Sequence, residues 1–360
     1  LRTLLGFTFS GEQSAMAGKA PRVVVIGAGI LGASIAWHLS GHARVTVLER
    51  DSAPARGVTG HSYGWVGTGS RIPSEQPASF ALEQQALGEF GRLEALLGPL
   101  PVAAQGALIW LDDQLQTCSM LAEQQAAGVN MAAVGSEAIR ALQPGLVQLP
   151  EMAIWAPDDF AVEPDALTRR LLAAAQDEGA VVRGDARVLA VEVQGQRVIG
   201  VRTEQGVVAA DIVVLANAMG AQALASPLGI CLPIYEEPAV LLRFEAAGLA
   251  LRHLLCAGSL ELRPSLGGGL VSAADLPSDG EAGLAELGRS SIKAIGDLFA
   301  LQGGITLQSI KAVDRPKTRD SMPLRTFLPN VEGLYAAVAH PGVILAPLLG
   351  RLVSEDILGA

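Results

Sequence analysis

The chain runs to 360 residues, enough for two domains or for one large domain carrying an inserted one. Half of it is apolar and aromatics make up only 4%, a profile that excludes disordered and fibrous classes and fits a well-packed α/β or α+β enzyme. The formal net charge is −10 and no run of five or more Lys/Arg occurs, which excludes the basic face a nucleic-acid partner requires.

The leader LRTLLGFTFSGEQSAMAGKAPR has a short apolar patch but not the hydrophobic core of a secretory signal. Met16 reads as the natural start, with residues 1–15 an extension. Val23–Ile26 is a short, continuously apolar strand, followed by Gly27-Ala28-Gly29-Ile30-Leu31-Gly32 and a helical stretch to about Ser40. Val45–Leu48 is a second strand, ending in Glu49. Strand, G-x-G-x-x-G, helix, strand and terminal acid together define a dinucleotide-binding βαβ unit. Gly27 permits the tight turn, Gly29 lets the backbone approach a pyrophosphate, and Gly32 lets the helix sit close to the strand. The helix N-terminus offers free N–H groups and positive potential to the phosphates. Glu49 suits the adenosine ribose hydroxyls and repels a 2′-phosphate, whereas Arg50 flanks the adenine or faces solvent.

The loop TGHSYGWVG, residues 59–67, follows. Its residues have neither helical nor strand periodicity, and it concentrates a histidine, a tyrosine and a tryptophan. Helical patterns cover Glu75–Leu97, Leu115–Ala127, Ser136–Leu142 and Glu163–Glu178, the last opening with EPDAL. Ala107–Leu111 is a strand, and Ala180–Arg183, Arg187–Val193, Val198–Thr203, Val207–Ala209 and Asp211–Leu215 are further short strands. Beyond Pro233 come strands at Ala239–Phe244, Glu261–Arg263, Leu270–Ser272 and Thr306–Asp314, with a helix at Gly283–Phe299. The chain closes with a strand at Leu334–Val338, the loop AHPG and a helix from about Ile344. Two long uncharged stretches, Ile212–Tyr235 and Gly333–Gly350, are broken by prolines and polar residues and do not read as membrane spans. Cys118, Cys231 and Cys256 form no C-x-x-C pair and read as buried, inert thiols of a reducing compartment, so the expected location is cytoplasmic.

Four stretches together resemble the D-amino-acid oxidase family of flavoenzymes, in particular its glycine oxidase and sarcosine oxidase-like branch. They are VVVIGAGILGASIAWHLSGHARVTVLER, the EPDAL helix with GVRTEQGVVAADIVVLANA, DRPKTRDSMPL, and GLYAAVAHPGVILAPLLGRLVSEDIL. The first is shared by many nucleotide-binding families; the last two, in this order near the C-terminal end, are more specific. The chain departs from the family pattern in two places: Ala218-Met219-Gly220 lacks the usual leading glycine, and IYEEPAVLL lacks an R-G-Q.

The resemblance implies an α/β (α+β) fold. A Rossmann-like FAD-binding domain would be assembled from residues 20–100, 156–225 and 306–360, with a discontinuous, sheet-containing substrate domain from 101–155 and 226–305. FAD would be held non-covalently by Gly27, Gly29, Ile30, Leu31, Gly32, Glu49 and Arg50. Val188 matches the strand position that contacts adenine, and Ala216 the strand end beside the pyrophosphate. Thr59, Gly60, His61 and Ser62 would contact phosphate or flavin, and Tyr63 and Trp65 would wall the ring. A covalent flavin link through His61 is disfavoured, since it lies out of register with the G-S-T-W-H pattern of relatives that make one. The helix entered through Gly342, Val343, Ile344 and Leu345 would lie against the flavin pyrimidine edge, with Pro347 within its first turn.

Arg315 would hold a substrate carboxylate, and with His340 and Tyr63 it completes the candidate catalytic set; the alternative for Arg315 is a surface pairing with Asp314 or Asp320. Arg263 reads equally as an anion contact or a surface residue. No metal constellation or nucleophile–histidine order is evident. The expected reaction is oxidation of an amino acid or secondary amine to the imine by hydride transfer to flavin N5, then hydrolysis, with oxygen or another acceptor taking the electrons. The rival readings are a flavin-bearing subunit of a multi-subunit amine dehydrogenase and an NAD-dependent dehydrogenase. Homo- or hetero-oligomerisation stays open.

Overall fold

The computed structural model describes residues 20–301 and 304–359; the reading of Met16 as a start lies outside them. The apolar run Arg22–Ile26 forms the centre of a six-stranded sheet. From one edge, its order is Leu324–Phe327, Leu334–Val338, Ile212–Leu215, Arg22–Ile26, Arg44–Leu48 and Val181–Arg183. All neighbours are parallel except the antiparallel edge strand Leu324–Phe327. A parallel strand buried on both faces has to be apolar at every position, which is why this run shows no alternation.

The two faces bury different partners. Val23 and Val25 pack with the helices Ile30–Leu39, Pro77–Leu97, Pro164–Asp177 and Gly342–Leu358. Val24 and Ile26 point the other way, into a core shared with an antiparallel three-stranded sheet of Val188–Gln194, Arg197–Thr203 and Gly206–Ala209. Helix Ile30–Leu39 is apolar nearly all round because it is enclosed by the sheet on one side and the closing helix on the other. Burying each Val or Leu there contributes about 1.5–3 kcal/mol.

The second layer is a nine-stranded sheet. Its path runs Ile305–Thr318, Ile234–Ala246, Leu270–Asp275, Leu260–Pro264, Leu254–Ala257, Val102–Trp110, Met152–Val162 and Trp65–Val66, with Ala132–Gly135 also paired to Met152–Val162. Val240, Leu242 and Phe244 face the helix Leu284–Phe299. Alternate positions such as Ala239 and Leu241, together with Glu261 and Ala273, line a cavity.

Three expectations change. Strand Ile305–Thr318 pairs along its length with Ile234–Ala246, so the segment after 306 belongs first to the nine-stranded sheet, and the chain returns to the six-stranded sheet only at Leu324–Phe327. The strand Met152–Val162 is an addition to the expected elements; it carries Pro157 within it, and irregular register opposite Val102–Trp110 absorbs the interruption. The closing helix starts at Gly342, which puts Pro347 inside it rather than in its first turn, where its missing N–H leaves a helical bond unmade.

The layers are tied by one buried ion pair. Arg263 is fully buried, and its Nη1 and Nη2 reach the Glu163 carboxylate at 3.0 and 3.4 Å. It also donates to the carbonyls of Pro264, at 2.8 Å, and Tyr63. Glu163 accepts further bonds from Ser265 Oγ at 2.8 Å and Leu266 N at 3.1 Å. Arg263 is therefore neither a surface residue nor a free anion contact. Removing one partner strands a buried charge, so Arg263→Leu is expected to lower unfolding stability by about 3–5 kcal/mol. Urea denaturation of the parent and the variant measures this, and the double variant Arg263→Leu/Glu163→Leu is expected to recover part of the loss.

Candidate active site

A cavity of about 980 Å³ opens at the C-terminal ends of the parallel strands and extends to the face of the nine-stranded sheet. Strand order reverses beside Arg22–Ile26, whose neighbours lie on opposite sides, and a ligand crevice forms at such a point. Gly27 takes φ +101°, and a Cβ there would sit 2.8 Å from the Ala216 carbonyl. At Gly32 a Cβ would lie 2.0 Å from the Gly27 carbonyl oxygen, so only glycine lets the helix come this close to the turn.

No side chain caps helix Ile30–Leu39 at Gly29. Ile30 N donates to Thr59 Oγ1 at 3.1 Å, and the backbone bond from Ala33 N to Gly29 O follows at 2.9 Å. Gly27, Gly29, Ile30 and Leu31 line the cavity at this first turn, where backbone N–H groups have no carbonyl within the helix to bond. Glu49 is fixed by backbone donors, Ala28 N to Oε2 at 2.8 Å and Asp51 N to Oε1 at 3.1 Å, and borders the same space. Arg50, Val188, Ala216 and Asn217 complete this end, and Asn217 Oδ1 is buried without a hydrogen-bond partner. A glycine cradle, an open helix N-terminus, an oriented carboxylate and an unsatisfied acceptor fit a dinucleotide with two ribose-type polyols flanking a pyrophosphate.

The loop after the second strand forms the next part of the wall. Gly64, at φ +83°, has no room for a Cβ, which would meet the Val162 carbonyl at 2.3 Å. Asp159 holds the following residues by accepting from Trp65 Nε1 at 2.7 Å and Gly69 N at 2.9 Å. Burial pushes the Asp159 carboxyl up from 3.8 to about 6, against the opposing pull of those two donors. His61 lines the cavity with its Nδ1 3.0 Å from the Gly57 carbonyl. Thr59 lines it too, although its oxygen already accepts from Ile30 N.

Among the other residues expected here, Ser62 lines the cavity and donates its hydroxyl proton to Val58 O at 2.9 Å. Gly60 lies against the Ala55 carbonyl, outside the cavity lining. Leu345 is buried in the helical core, because it sits on the side of the closing helix opposite the cavity. Tyr63 and Trp65 border the cavity, but the Tyr63 hydroxyl is buried and has no hydrogen-bond partner. Burial raises its pKa well above the ordinary phenol value, and the Arg263 guanidinium stands 5.6 Å from its ring centroid. Cys118 and Cys231 are exposed rather than buried; only Cys256 is enclosed, and burial pushes its thiol up to about 12.

At the far end, Gly342, Val343 and Ile344 bring the N-terminus of the closing helix to the cavity, immediately after His340 and a cis Pro341. Arg315 enters from the long edge strand. It pairs not with Asp314 or Asp320 but with Glu237, Nη2 to Oε2 at 2.7 Å, and Asp275 lies 3.7 Å off. Burial alone works to raise the Glu237 carboxyl, but Lys317 at 2.7 Å and Arg315 outweigh it and hold it below its ordinary value. Arg71, paired with buried Glu83 at 3.3 Å, and Glu261 also border this end. Neither was singled out in the sequence, where nothing in SRIPS or SLELR marks a site.

The glycine turn, the helix N-terminus and Glu49 give the cavity the features of a dinucleotide-binding enzyme. The chain belongs to the DAO family of FAD-dependent oxidoreductases, whose family model matches residues 22–356. It is 27% identical over 364 residues to a glycine oxidase of Pseudomonas aeruginosa, covering 94% of this chain and 95% of that protein. It is 32% identical over 225 residues to the 4-methylaminobutanoate oxidase (formaldehyde-forming) of Paenarthrobacter nicotinovorans, a match that spans 59% of this chain but only 26% of the longer relative. In fold it superposes on the crystal structure of a glycine oxidase from Bacillus cereus with a TM-score of 0.80 at 20% identity, covering 94% of this chain and 97% of that one. The fold is thus Rossmann-like and the cofactor is FAD.

His340 carries a further consequence. Burial first, and then the positive charges of Arg315, Lys317 and Arg71, lower its imidazole from 6.5 to about 3, with Glu237 pulling weakly the other way. The ring is therefore neutral at physiological pH. An unfolded histidine binds its proton below about 6.5 while the folded one refuses it, so this contribution is complete above that pH and is lost as pH falls towards the folded value. The stability of the parent relative to His340→Gln is expected to drop by about 2 kcal/mol between about pH 7.5 and about pH 5. Urea unfolding of both proteins at the two pH values reads it; a pH-independent difference contradicts the neutral ring.

Proposed function

We propose that this chain oxidises the carbon–nitrogen bond of an amino acid or a secondary amine. The observation that carries the reading is the continuity of one cavity, from the glycine turn and Glu49 to a sheet face where Arg315, His340 and the N-terminus of the closing helix meet. The relatives named as glycine oxidase and methylaminobutanoate oxidase support it. FAD, when bound, accepts a hydride at N5 from the carbon bearing the nitrogen, and water hydrolyses the imine that is left.

The residues of the chain supply position and field. Gly27, Gly29, Leu31 and Glu49 hold the dinucleotide, Val188 borders its adenine end, and Tyr63 and Trp65 wall the ring. The helix N-terminus at Gly342–Ile344 directs N–H donors and positive potential to the place where negative charge gathers during hydride transfer. The nine-stranded sheet covers the substrate end and excludes water, so the reacting carbon is held without competing solvent. His340, neutral throughout, serves as a hydrogen-bonding wall and not as a permanent charge.

Arg315 takes the substrate carboxylate. Its Nη2 is committed to Glu237 and its Nε and Nη2 approach the carbonyls of residues 237 and 238 at 3.4 Å, whereas Nη1 has no partner among the described residues. One edge of the guanidinium is therefore left for an incoming oxygen. The test is the steady-state formation of carbonyl product and released amine from carboxylated and simple amines. Arg315→Ala is expected to lower kcat/KM for carboxylated amines by about tenfold or more while changing simple amines little. Equal losses on both would refute the carboxylate role.

A further inference from the structure

Glu261 stands on the strand Leu260–Pro264, two residues before Arg263, and so projects from the same face of the nine-stranded sheet. The cations near it already have carboxylates of their own. Arg263 is held by Glu163, Arg71 by Glu83 and Arg315 by Glu237. The Glu261 carboxyl borders the cavity and makes no hydrogen bond or ion pair with any described residue. An enclosed carboxylate without a partner is costly to the fold, and a protein that retains one at a binding cavity derives its compensation from a ligand.

We propose that Glu261 is the cation subsite of the substrate cavity, holding the ammonium group of the amine that is to be oxidised. The proposal rests on the reading of the chain as an amine oxidoreductase and adds to it the group that recognises the nitrogen. Charge pairing supports the assignment: Arg71 and Arg315 each have a carboxylate partner, Glu83 and Glu237, so neither is left to neutralise Glu261. The groups facing Glu261 act in opposing directions. Burial raises its carboxyl to about 6, Arg71 and Arg315 lower it, and Asp275 raises it. At neutral pH it is still ionised and attracts a cation. On binding, it can take one proton from the ammonium: the N–H bond breaks, an O–H bond forms on the carboxyl, and the electron pair stays on nitrogen. The neutral amine that results is the form able to give up hydride from its carbon.

The test uses a cation that cannot react. tert-Butylammonium has no hydrogen on the carbon bearing nitrogen, and tert-butanol is its neutral near-isostere. Binding of each to the FAD-loaded protein is followed by calorimetry and by perturbation of the flavin spectrum, for the parent, Glu261→Gln and Glu261→Asp. Because the enclosed charge is costly and makes no bond within the fold, Glu261→Gln is expected to be at least as thermally stable as the parent and to keep its flavin content. It is expected to bind tert-butylammonium about tenfold or more weakly and tert-butanol unchanged, while Glu261→Asp recovers part of the binding. Equal affinity of the parent and Glu261→Gln for the cation, or no binding to the parent, overturns the subsite. A parent that binds the cation yet oxidises no amine overturns the proposed function and leaves the subsite standing.

Discussion

The architecture depends on a single buried ion pair. Arg263 comes from the nine-stranded sheet, Glu163 from the start of a helix that packs on the six-stranded sheet, and the Tyr63 carbonyl from the loop before Trp65–Val66. Three segments far apart in sequence are thereby fixed around one guanidinium whose donors point in set directions. Apolar packing alone would tolerate sliding between the layers, whereas a desolvated fork of hydrogen bonds tolerates little. Glu163 precedes the helix Pro164–Asp177 but does not cap it; its carboxylate is turned to the other layer, giving up a local bond for a long-range one.

The cavity follows from that fixation. With Tyr63 held by its carbonyl and Trp65 and Gly69 held by Asp159, the loop cannot collapse into the space that it borders. The six-stranded sheet supplies polar backbone and a carboxylate at one end, and the nine-stranded sheet supplies charged side chains at the other. The two ends differ in chemistry: a glycine turn and a helix N-terminus lie at one, and at the other stand Arg315, His340 and Glu261, which we propose orient an amino acid between them.

The dinucleotide half was largely legible in the sequence, because its chemistry is local. The turn at Gly27, the close approach at Gly32 and the acid at Glu49 all fall within one βαβ unit, and each has a backbone reason to be where it is. The substrate half was legible only in outline. Arg263 looked like any strand arginine, because its partner lies 100 residues away. Glu261 gave no signal, since what matters is the absence of a counter-charge in three dimensions. Met152–Val162 carries a Pro-Asp-Asp in its middle and forms a strand through its pairing with Val102–Trp110, a partner distant in sequence. For the loop 59–67, composition identified the segment but not which side of each residue faces inward: Tyr63 lines the cavity with its hydroxyl buried, and Gly60 lies outside the lining.

The most direct test of the account is anaerobic mixing of the FAD-loaded protein with a panel of primary and secondary amino acids and simple amines, with the visible flavin absorbance recorded. The account predicts loss of that absorbance with at least one carboxylated amine, in proportion to imine or carbonyl product formed. A flavin that stays fully oxidised with every amine, while still being reduced by dithionite, would contradict it.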